Sequence, residues 1–267
     1  MTINTDSKVR RSFPARRGPD PAVSLEGVSK VYGRGPQAVL AIDRLNLDVM
    51  PGEFLCLVGA SGCGKSTLLS MVSGLEPVTA GRITVDGGHR PALMFQEAAL
   101  FPWLTVRKNV ELALKLHGVA RQDRESQARE LLAAVHLADF ADKRPHELSG
   151  GMRQRVALAR TLAQRTPVLL MDEPFGALDA MTRDILHDEI ERIWRERDLT
   201  VLFVTHNVRE AARLGDRIVL LSSRPGRVVE EYAVDIPRPR RIDSPEVAEL
   251  SAAVTDQLRA EVRRHGH

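Results

Sequence analysis

Apolar and polar positions first alternate at Val23-Ser-Leu-Glu-Gly-Val28 and again at Leu45-Asn-Leu-Asp-Val49, the two-residue period of strands with one buried face. Pro51-Gly52 predicts a turn into Phe54-Leu-Cys-Leu-Val58, which is apolar throughout and reads as a buried strand. Ala92-Leu-Met-Phe95, Val168-Leu-Leu-Met171 and Thr200-Val-Leu-Phe-Val204 read the same way, with shorter strands in 81–86, 217–221 and 227–232. Between them the spacing becomes helical. A helix starts at Lys65, and Thr105 is placed to cap another that carries Val106, Val110, Leu112 and Leu114. Ala128, Leu131, Leu132 and Val135 form a further stripe, and Ser149 is a natural cap for a helix bearing Met152, Val156, Ala159 and Ala163. Leu186, Ile190, Ile193 and Trp194 mark a helix after Pro174, and residues 207–214 another. Ser244-Pro245 starts a last amphipathic helix with Val247, Leu250, Val254, Leu258 and Val262 on one face. Strands alternating with helices predict an α/β fold around a parallel sheet, with a helical insertion beginning near residue 97. Residues 1–21 are polar, with Pro and Arg, and are expected to be a disordered basic tail.

The chemistry concentrates where the Phe54–Val58 strand meets the Lys65 helix. Gly59, Ala60, Ser61, Gly62, Cys63, Gly64, Lys65, Ser66 and Thr67 read G-x-x-x-x-G-K-S-T, and strand, glycine-rich loop and helix form the context of a phosphate-binding loop. Glycines let the backbone curl until successive N–H groups face one concavity, and the helix start adds its own free N–H groups and positive dipole end. A triphosphate suits that field. Lys65 is the mobile charge for the outer phosphates, Ser66 a hydroxyl for Mg²⁺, and Thr67 a further phosphate contact. Tyr32, between the first two strands, is either an edge-strand aromatic or a platform for an adenine ring.

Composition narrows the choice without deciding it. The 267 residues, 43% hydrophobic and 27% charged, are those of an ordinary globular protein, and a net charge of +3 is too mild to argue for nucleic acid. Basic residues cluster at the ends (Lys8, Arg10, Arg11, Arg16 and Arg17, then Arg238, Arg240, Arg241, Arg263 and Arg264) and read as solvated tails in preference to a lipid or nucleic-acid patch. The two cysteines, Cys56 in the apolar strand and Cys63 in the glycine loop, have no metal or disulfide spacing, which favours a reducing compartment. The basic N-terminus lacks an apolar signal core, and no apolar run approaches bilayer length, so a membrane role would come through a partner.

The order of motifs along the chain is more specific. After the phosphate loop come Gln96, Leu148-Ser-Gly-Gly-Met152, the apolar strand ending in Asp172-Glu173, Ala177-Leu-Asp179 and His206. This order resembles the ATP-binding subunit of ATP-binding-cassette (ABC) transporters over residues 22–235. The resemblance implies a phosphate-loop NTPase core with a mixed or parallel sheet, an N-terminal antiparallel β subdomain, a helical insertion at about 97–163, and a C-terminal linker and amphipathic helix at 236–267. It makes 59–67 the Walker A loop, Tyr32 the adenine-stacking aromatic, Gln96 the Q-loop residue, Asp172 the Walker B aspartate, Glu173 the catalytic glutamate and His206 the switch histidine. Each implied role makes chemical sense. A strand-end carboxylate such as Asp172 holds Mg²⁺ with Ser66 and Gln96, and Glu173 orients or deprotonates the attacking water. His206 reaches the γ-phosphate. Ser149, Gly150 and Gly151 present N–H groups at a helix start, which in the family face the ATP of the partner subunit, and Asp179 lies in the loop crossing the same interface.

Phe101-Pro-Trp-Leu-Thr-Val-Arg-Lys-Asn-Val110, Leu221-Ser-Ser-Arg-Pro-Gly226 and Asp172-Glu-Pro-Phe-Gly-Ala-Leu-Asp-Ala180 look like the nitrate/sulfonate/taurine import branch. The chain ends about thirty residues after its last predicted strand, so the added C-terminal regulatory domain of maltose-type import ATPases is not expected. The resemblance implies ATP and Mg²⁺ and a second copy or a related ATPase subunit. It also implies transmembrane permease subunits on the cytoplasmic face of the inner membrane and, indirectly, a solute-binding protein, with no nucleic acid. Two alternatives stay open: an ABC ATPase working on nucleic acid or ribosomes, and a cassette that binds ATP as a regulatory switch without hydrolysis. The first class generally carries two cassettes, coiled-coil insertions or zinc cysteines, none of which is seen here. Lys65, Asp172, Glu173 and His206 argue against the second.

Overall fold

The computed structural model describes residues 20–176 and 178–265. All but the last two residues of the expected disordered tail, and Ala177 of the Ala177-Leu-Asp179 motif, lie outside the described residues. Among the described residues nine strands form two sheets. A three-stranded antiparallel sheet has the order β2 (Val39–Val49), β1 (Val23–Tyr32), β4 (Ala80–Val85). A six-stranded sheet has the order β5 (Ala92–Met94), β6 (Val168–Asp172), β7 (Thr200–Val204), β3 (Phe54–Val58), β8 (Arg217–Leu221), β9 (Val228–Ala233). Its first five strands are parallel and β9 runs antiparallel to β8, so the predicted parallel core becomes a mixed sheet at one edge. The helices are α1 (Lys65–Val72), α2 (Val106–Leu116), α3 (Arg124–Ala134), α4 (Gly150–Leu162), α5 (Ala180–Glu196), α6 (Val208–Leu214) and α7 (Pro245–His265).

The unbroken apolar runs have a simple cause. Successive side chains of a strand point to opposite faces, and here both faces are covered. Phe54, Cys56 and Val58 of β3 join one buried cluster together with Met171, Phe203 and Leu220, under the helices α2–α7. Leu55 and Leu57 join the other, with Leu170, Leu202, Val219 and Leu221, against α1 and the antiparallel sheet. One sheet therefore divides two cores, and no strand of its centre has a solvent face to signal by polar residues.

Two expectations need correction. Tyr32 is the last residue of β1 and does not stand between strands. The β1–β2 register shifts after Leu25, after Val28 and after Lys30, and such bulges interrupt the alternation from which the strand length is read. Arg238 and Arg240 are not solvated tail residues. Arg240 is buried and donates to the carbonyls of Ile236, Val234, Ala212, Arg213 and Gly215. Burial and the neighbouring Arg238 push its pKa down to about 10. Arg238 bonds Asp216, Glu191 and the Leu214 carbonyl, and its guanidinium lies 4.6 Å from the Trp194 ring centroid. These contacts bind the segment before α7 to α5 and α6, and α7 then buries Val247 and Val254. Among the described residues no helix is long and apolar enough to cross a membrane.

Phe203 sits where the sheet meets the helical side, its ring centroid 5.7 Å from that of Phe54 and 5.9 Å from that of Phe175. Phe203→Ala should cost about 3–5 kcal/mol, and Phe203→Leu much less, because only the first leaves a large cavity. Urea unfolding of the two variants checks this, and equal midpoints would contradict the packing described.

Candidate functional site

The parallel register places four strand ends at one level. Leu57 of β3 pairs with Val204 of β7, Val204 with Asp172 of β6, and Met171 with Met94 of β5. Thr205 N donates to Leu57 O at 3.1 Å and Glu173 N to Val204 O at 2.9 Å, which carries the level one residue beyond the strands. The four segments that leave these ends contain Gly59–Thr67, Gln96, Glu173 and His206. The carboxyl ends of parallel strands are where open α/β sheets bind ligands.

The glycine loop closes on itself around Lys65. The Lys65 ammonium donates to Gly59 O at 2.9 Å and Ala60 O at 3.0 Å, and Sγ of Cys63 is 3.8 Å away. Only glycine fits at two points. Gly64 has φ +103°, and a methyl there would stand 2.6 Å from Cδ1 of Ile42. A methyl at Gly59 would come 2.8 Å from Cys63 Sγ. Helix α1 then begins at Lys65 without a side-chain cap, whereas Thr105, Ser149, Asp179 and Asn207 cap α2, α4, α5 and α6. Its first N–H groups face the loop instead.

Asp172 ends β6 beside this loop. Burial raises its carboxyl pKa, while a hydrogen bond with the Ser66 hydroxyl and the charge of Lys65 act downward. Glu173 follows with φ +42°, a conformation uncommon for a side chain of this size. That turn sends its carboxylate toward His206, whose Nδ1 lies 2.8 Å from Glu173 Oε2. The tautomer with its proton on Nδ1 is the one that can donate to this carboxylate, which only accepts. Gln96 reaches the same place. A methyl at Gly176 would stand 3.7 Å from Gln96 Nε2 and 3.8 Å from Glu173 Oε2. The structure therefore brings together Lys65, Ser66, Asp172, Glu173, Gln96 and His206.

It does not bring Tyr32 or Ser149–Gly151 into that group by any hydrogen bond among the described residues. Tyr32 is partly exposed at the end of β1, with Lys30 Nζ 4.9 Å from its ring centroid. Ser149 and Gly150 are exposed, and the Ser149 hydroxyl accepts from Met152 N as the cap of α4. This turn packs on α5: a methyl at Gly151 would lie 2.3 Å from Thr182 Cγ2, whereas one at Gly150 would meet only Leu178 at 3.8 Å and Arg153 at 4.0 Å. Asp179 caps α5 through Thr182, and Arg183 donates to the Phe175 and Leu178 carbonyls.

Several supporting residues escaped the sequence reading. Gln154 Nε2 donates to Gln96 O at 2.6 Å, and Arg160 donates to the carbonyls of Ala98 and Ala99. Both lie on α4, where the apolar stripe drew attention away from polar groups that reach loop carbonyls. Behind His206, buried Glu210 bonds the Thr205 hydroxyl and lies 2.5 Å from His187 Nε2. Arg224 touches the glycine loop at Gly62.

The ABC transporter family profile matches residues 42–176. The chain is 44% identical to the nitrate import ATP-binding protein NrtD of Synechocystis sp. over 80% of this chain and 83% of that protein. It is 44% identical to the taurine import ATP-binding protein TauB of Burkholderia pseudomallei over 88% of this chain and 95% of that one. It is 43% identical to the aliphatic sulfonates import ATP-binding protein SsuB 1 of Mesorhizobium japonicum over 93% and 96%. Among solved structures, the dimeric bacterial ABC transporter cassette MJ0796 superposes with a TM-score of 0.73 at 33% identity, over 80% of this chain and 100% of that one. The same cassette in a post-hydrolysis state bound to ADP and Pi gives 0.71 at 33% identity. With the antiparallel subdomain, the mixed sheet and the phosphate loop in place, these matches establish that the chain belongs to the ABC transporter family, as one of its ATP-binding subunits.

Proposed function

We propose that this chain hydrolyses ATP to drive a membrane importer of a small oxyanion, of the nitrate, sulfonate or taurine type. The observation that carries the ATPase reading is the convergence of Glu173, His206 and Gln96 beside Lys65 and Asp172 at the ends of the parallel strands. The relatives named for nitrate, taurine and sulfonate import support the solute class. Residues 22–235 are proposed as the ATPase unit, with 97–163 as its helical insertion and 236–267 as a C-terminal linker and helix. The exposed aromatic pair Phe101 and Trp103, at the edge of that insertion, is offered as permease-facing surface on the cytoplasmic side of the membrane.

The residues divide the work as follows. Lys65 exchanges the Gly59 and Ala60 carbonyls for phosphate oxygens, and the uncapped start of α1 supplies N–H donors. The residues suit Mg²⁺: the half-buried Asp172 carboxylate and the Ser66 hydroxyl bonded to it are hard oxygen donors, and Gln96 adds an amide. Bound there, Mg²⁺ would neutralise the charge of the outer phosphates. Glu173 orients and deprotonates the attacking water, and the His206 bond fixes the direction of its carboxylate. Tyr32 stacks the adenine ring. Ser149, Gly150 and Gly151 serve the ATP held by a second copy or a related subunit: Ser149 and Gly150 are exposed at the start of α4, and no hydrogen bond among the described residues ties this turn to its own phosphate loop.

Lys65→Ala should weaken MgATP binding and abolish turnover. Calorimetric titration reads the first and phosphate release the second, and unchanged values in both would remove the foundation of the proposal.

Glu173→Gln keeps the shape of the side chain and loses the base. It should bind MgATP and hydrolyse it more slowly by a factor on the order of 10²–10⁴. The ATP-bound dimer should then accumulate on a sizing column. Gly150→Trp in the same background should bind nucleotide yet stay monomeric, since a side chain there has room within the subunit and projects from its surface. A Glu173→Gln protein that remains monomeric at saturating MgATP would contradict the shared site.

The solute class is tested on the whole transporter. Its binding protein, purified with the complex, should retain nitrate, taurine or an alkanesulfonate, and retention of sugars or amino acids alone would overturn the oxyanion assignment while leaving the ATPase intact.

A further inference from the structure

The Leu221–Gly226 stretch marks a transporter branch in the sequence, yet the fold places it against the phosphate loop. It forms the turn between β8 and β9, and it is closely tied. Ser222 N donates to Arg227 O at 2.9 Å, the Ser222 hydroxyl to Pro225 O at 2.6 Å, and Arg227 N to that hydroxyl at 2.9 Å. Gly226 N donates to Ala41 O at 2.8 Å and Asp43 N to Gly226 O at 3.1 Å, which fixes the turn to β2. Arg227 pairs with Asp43 alongside.

From this support two contacts reach the loop. Arg224 donates through Nε and Nη2 to the Gly62 carbonyl, both at 3.3 Å. The Cys63 carbonyl lies so close to Gly226 that a methyl there would stand 2.4 Å from it. Two consecutive carbonyls of the loop thus face the turn. In a trans peptide the C=O and the following N–H point in opposite directions. Holding Gly62 O and Cys63 O outward therefore directs the N–H groups of Cys63 and Gly64 to the opposite side. The Cys63 N–H confirms that direction, because it meets Ala60 O at 3.3 Å, on the side where Lys65 Nζ also bonds Ala60 O. That bond is long, and a phosphate oxygen would replace it readily.

We propose that Arg224 is a positioning residue for the triphosphate: it holds the Gly62–Cys63 peptide, and Gly226 beneath it packs on the Cys63–Gly64 peptide, so that the Cys63 and Gly64 N–H groups face the nucleotide. The inference rests on the ATPase reading above and assigns the branch-marking motif to nucleotide binding, not to the solute. Gly62, at φ +76°, has the freedom to let this peptide turn over when unheld, so the guanidinium removes an ordering cost that binding would otherwise carry.

The test uses Arg224→Ala, Arg224→Lys and Arg227→Ala in the full chain. The last removes the neighbouring ion pair without touching Gly62. MgATP affinity is measured by displacement of a fluorescent ATP analogue, and KM and kcat by phosphate release. The chain has two cysteines, so selective ¹⁵N-cysteine labelling gives two amide signals, Cys63 in the loop and Cys56 in a buried strand as internal reference. Arg224→Ala should weaken MgATP about 5- to 10-fold, the scale of an ordinary intramolecular hydrogen bond, because both donors share one acceptor at an exposed site. Its KM should rise by more than kcat falls, and the Cys63 amide should move while Cys56 stays. Arg224→Lys should recover part of the affinity, and Arg227→Ala most of it. Native affinity and an unmoved Cys63 amide in Arg224→Ala, or an equal loss in Arg227→Ala, would overturn the assignment while native MgATP binding left the ATPase reading standing. A native chain that bound no MgATP would overturn both.

Discussion

The hydrogen bond from Thr205 N to Leu57 O closes the last rung between the two central parallel strands, and the one from Glu173 N to Val204 O closes the next. Together they fix the height at which every functional segment leaves the sheet. A parallel ladder permits no half-step: a slip by one residue would exchange the two faces of a strand, sending Phe203 and Leu202 into each other's core. Both faces being buried, that slip is prohibitively costly, so the two hydrophobic cores hold the register and the register holds the site. Glu173 adds the strained step. At φ +42° it leaves β6 in a direction that a regular strand or helix would not take, and the His206 contact depends on it.

Electrostatics at this level are arranged before any ligand enters. Lys65 lies among carbonyl oxygens of its own loop, whose partial charges hold the ammonium without neutralising it. Asp172 is on the other side, bonded to the Ser66 hydroxyl and disfavoured as an anion by its burial. A negatively charged ligand with a divalent cation suits both at once, because the anion takes Lys65 from neutral acceptors and the cation relieves Asp172. The chemistry of the pair calls for the two together more than for either alone.

The phosphate loop, the two-faced strands and the strand-end acids could be read from the sequence because each has a local cause. The G-x-x-x-x-G-K-S spacing, the period-two burial and the apolar run before Asp172 all act within a few residues. What escaped depended on partners far away in the chain. Gln154 and Arg160 reach backbone carbonyls at 96–99, and no pattern in α4 marks an atom whose acceptor is a loop carbonyl. The bulges of β1 hid the strand that carries Tyr32. Arg238 and Arg240 looked like solvated tail charges, since their ring of carbonyl acceptors forms only when 234–240 folds back over α6. His187 and Glu210, 23 residues apart, meet only in three dimensions.

The same long-range bonds tie α4 to α5 at one end and to the 96–99 segment along its length. Its first turn packs on Thr182 through Gly151, and Thr182 is in turn bonded to the Asp179 cap of α5. In its middle Gln154 is bonded to the backbone of Gln96, and near its end Arg160 grips the two carbonyls at 98 and 99. The Gln96 side chain, meanwhile, faces Glu173 across Gly176. The Gln154 bond joins the backbone of Gln96 to a helix whose far end is the exposed Ser149–Gly150 turn. Linkage requires that any coupling between two sites be reciprocal in binding free energy, and the hydrogen bonds of Gln154 and Arg160 with the close packing of Gly151 form one continuous connection between these places. The exposed Phe101–Trp103 pair lies at the end of the same segment, since Asn109 holds Phe101 by its amide N–H and carbonyl. The rings thus sit on a segment that is bonded to α2 through Asn109 and to α4 through Gln154 and Arg160.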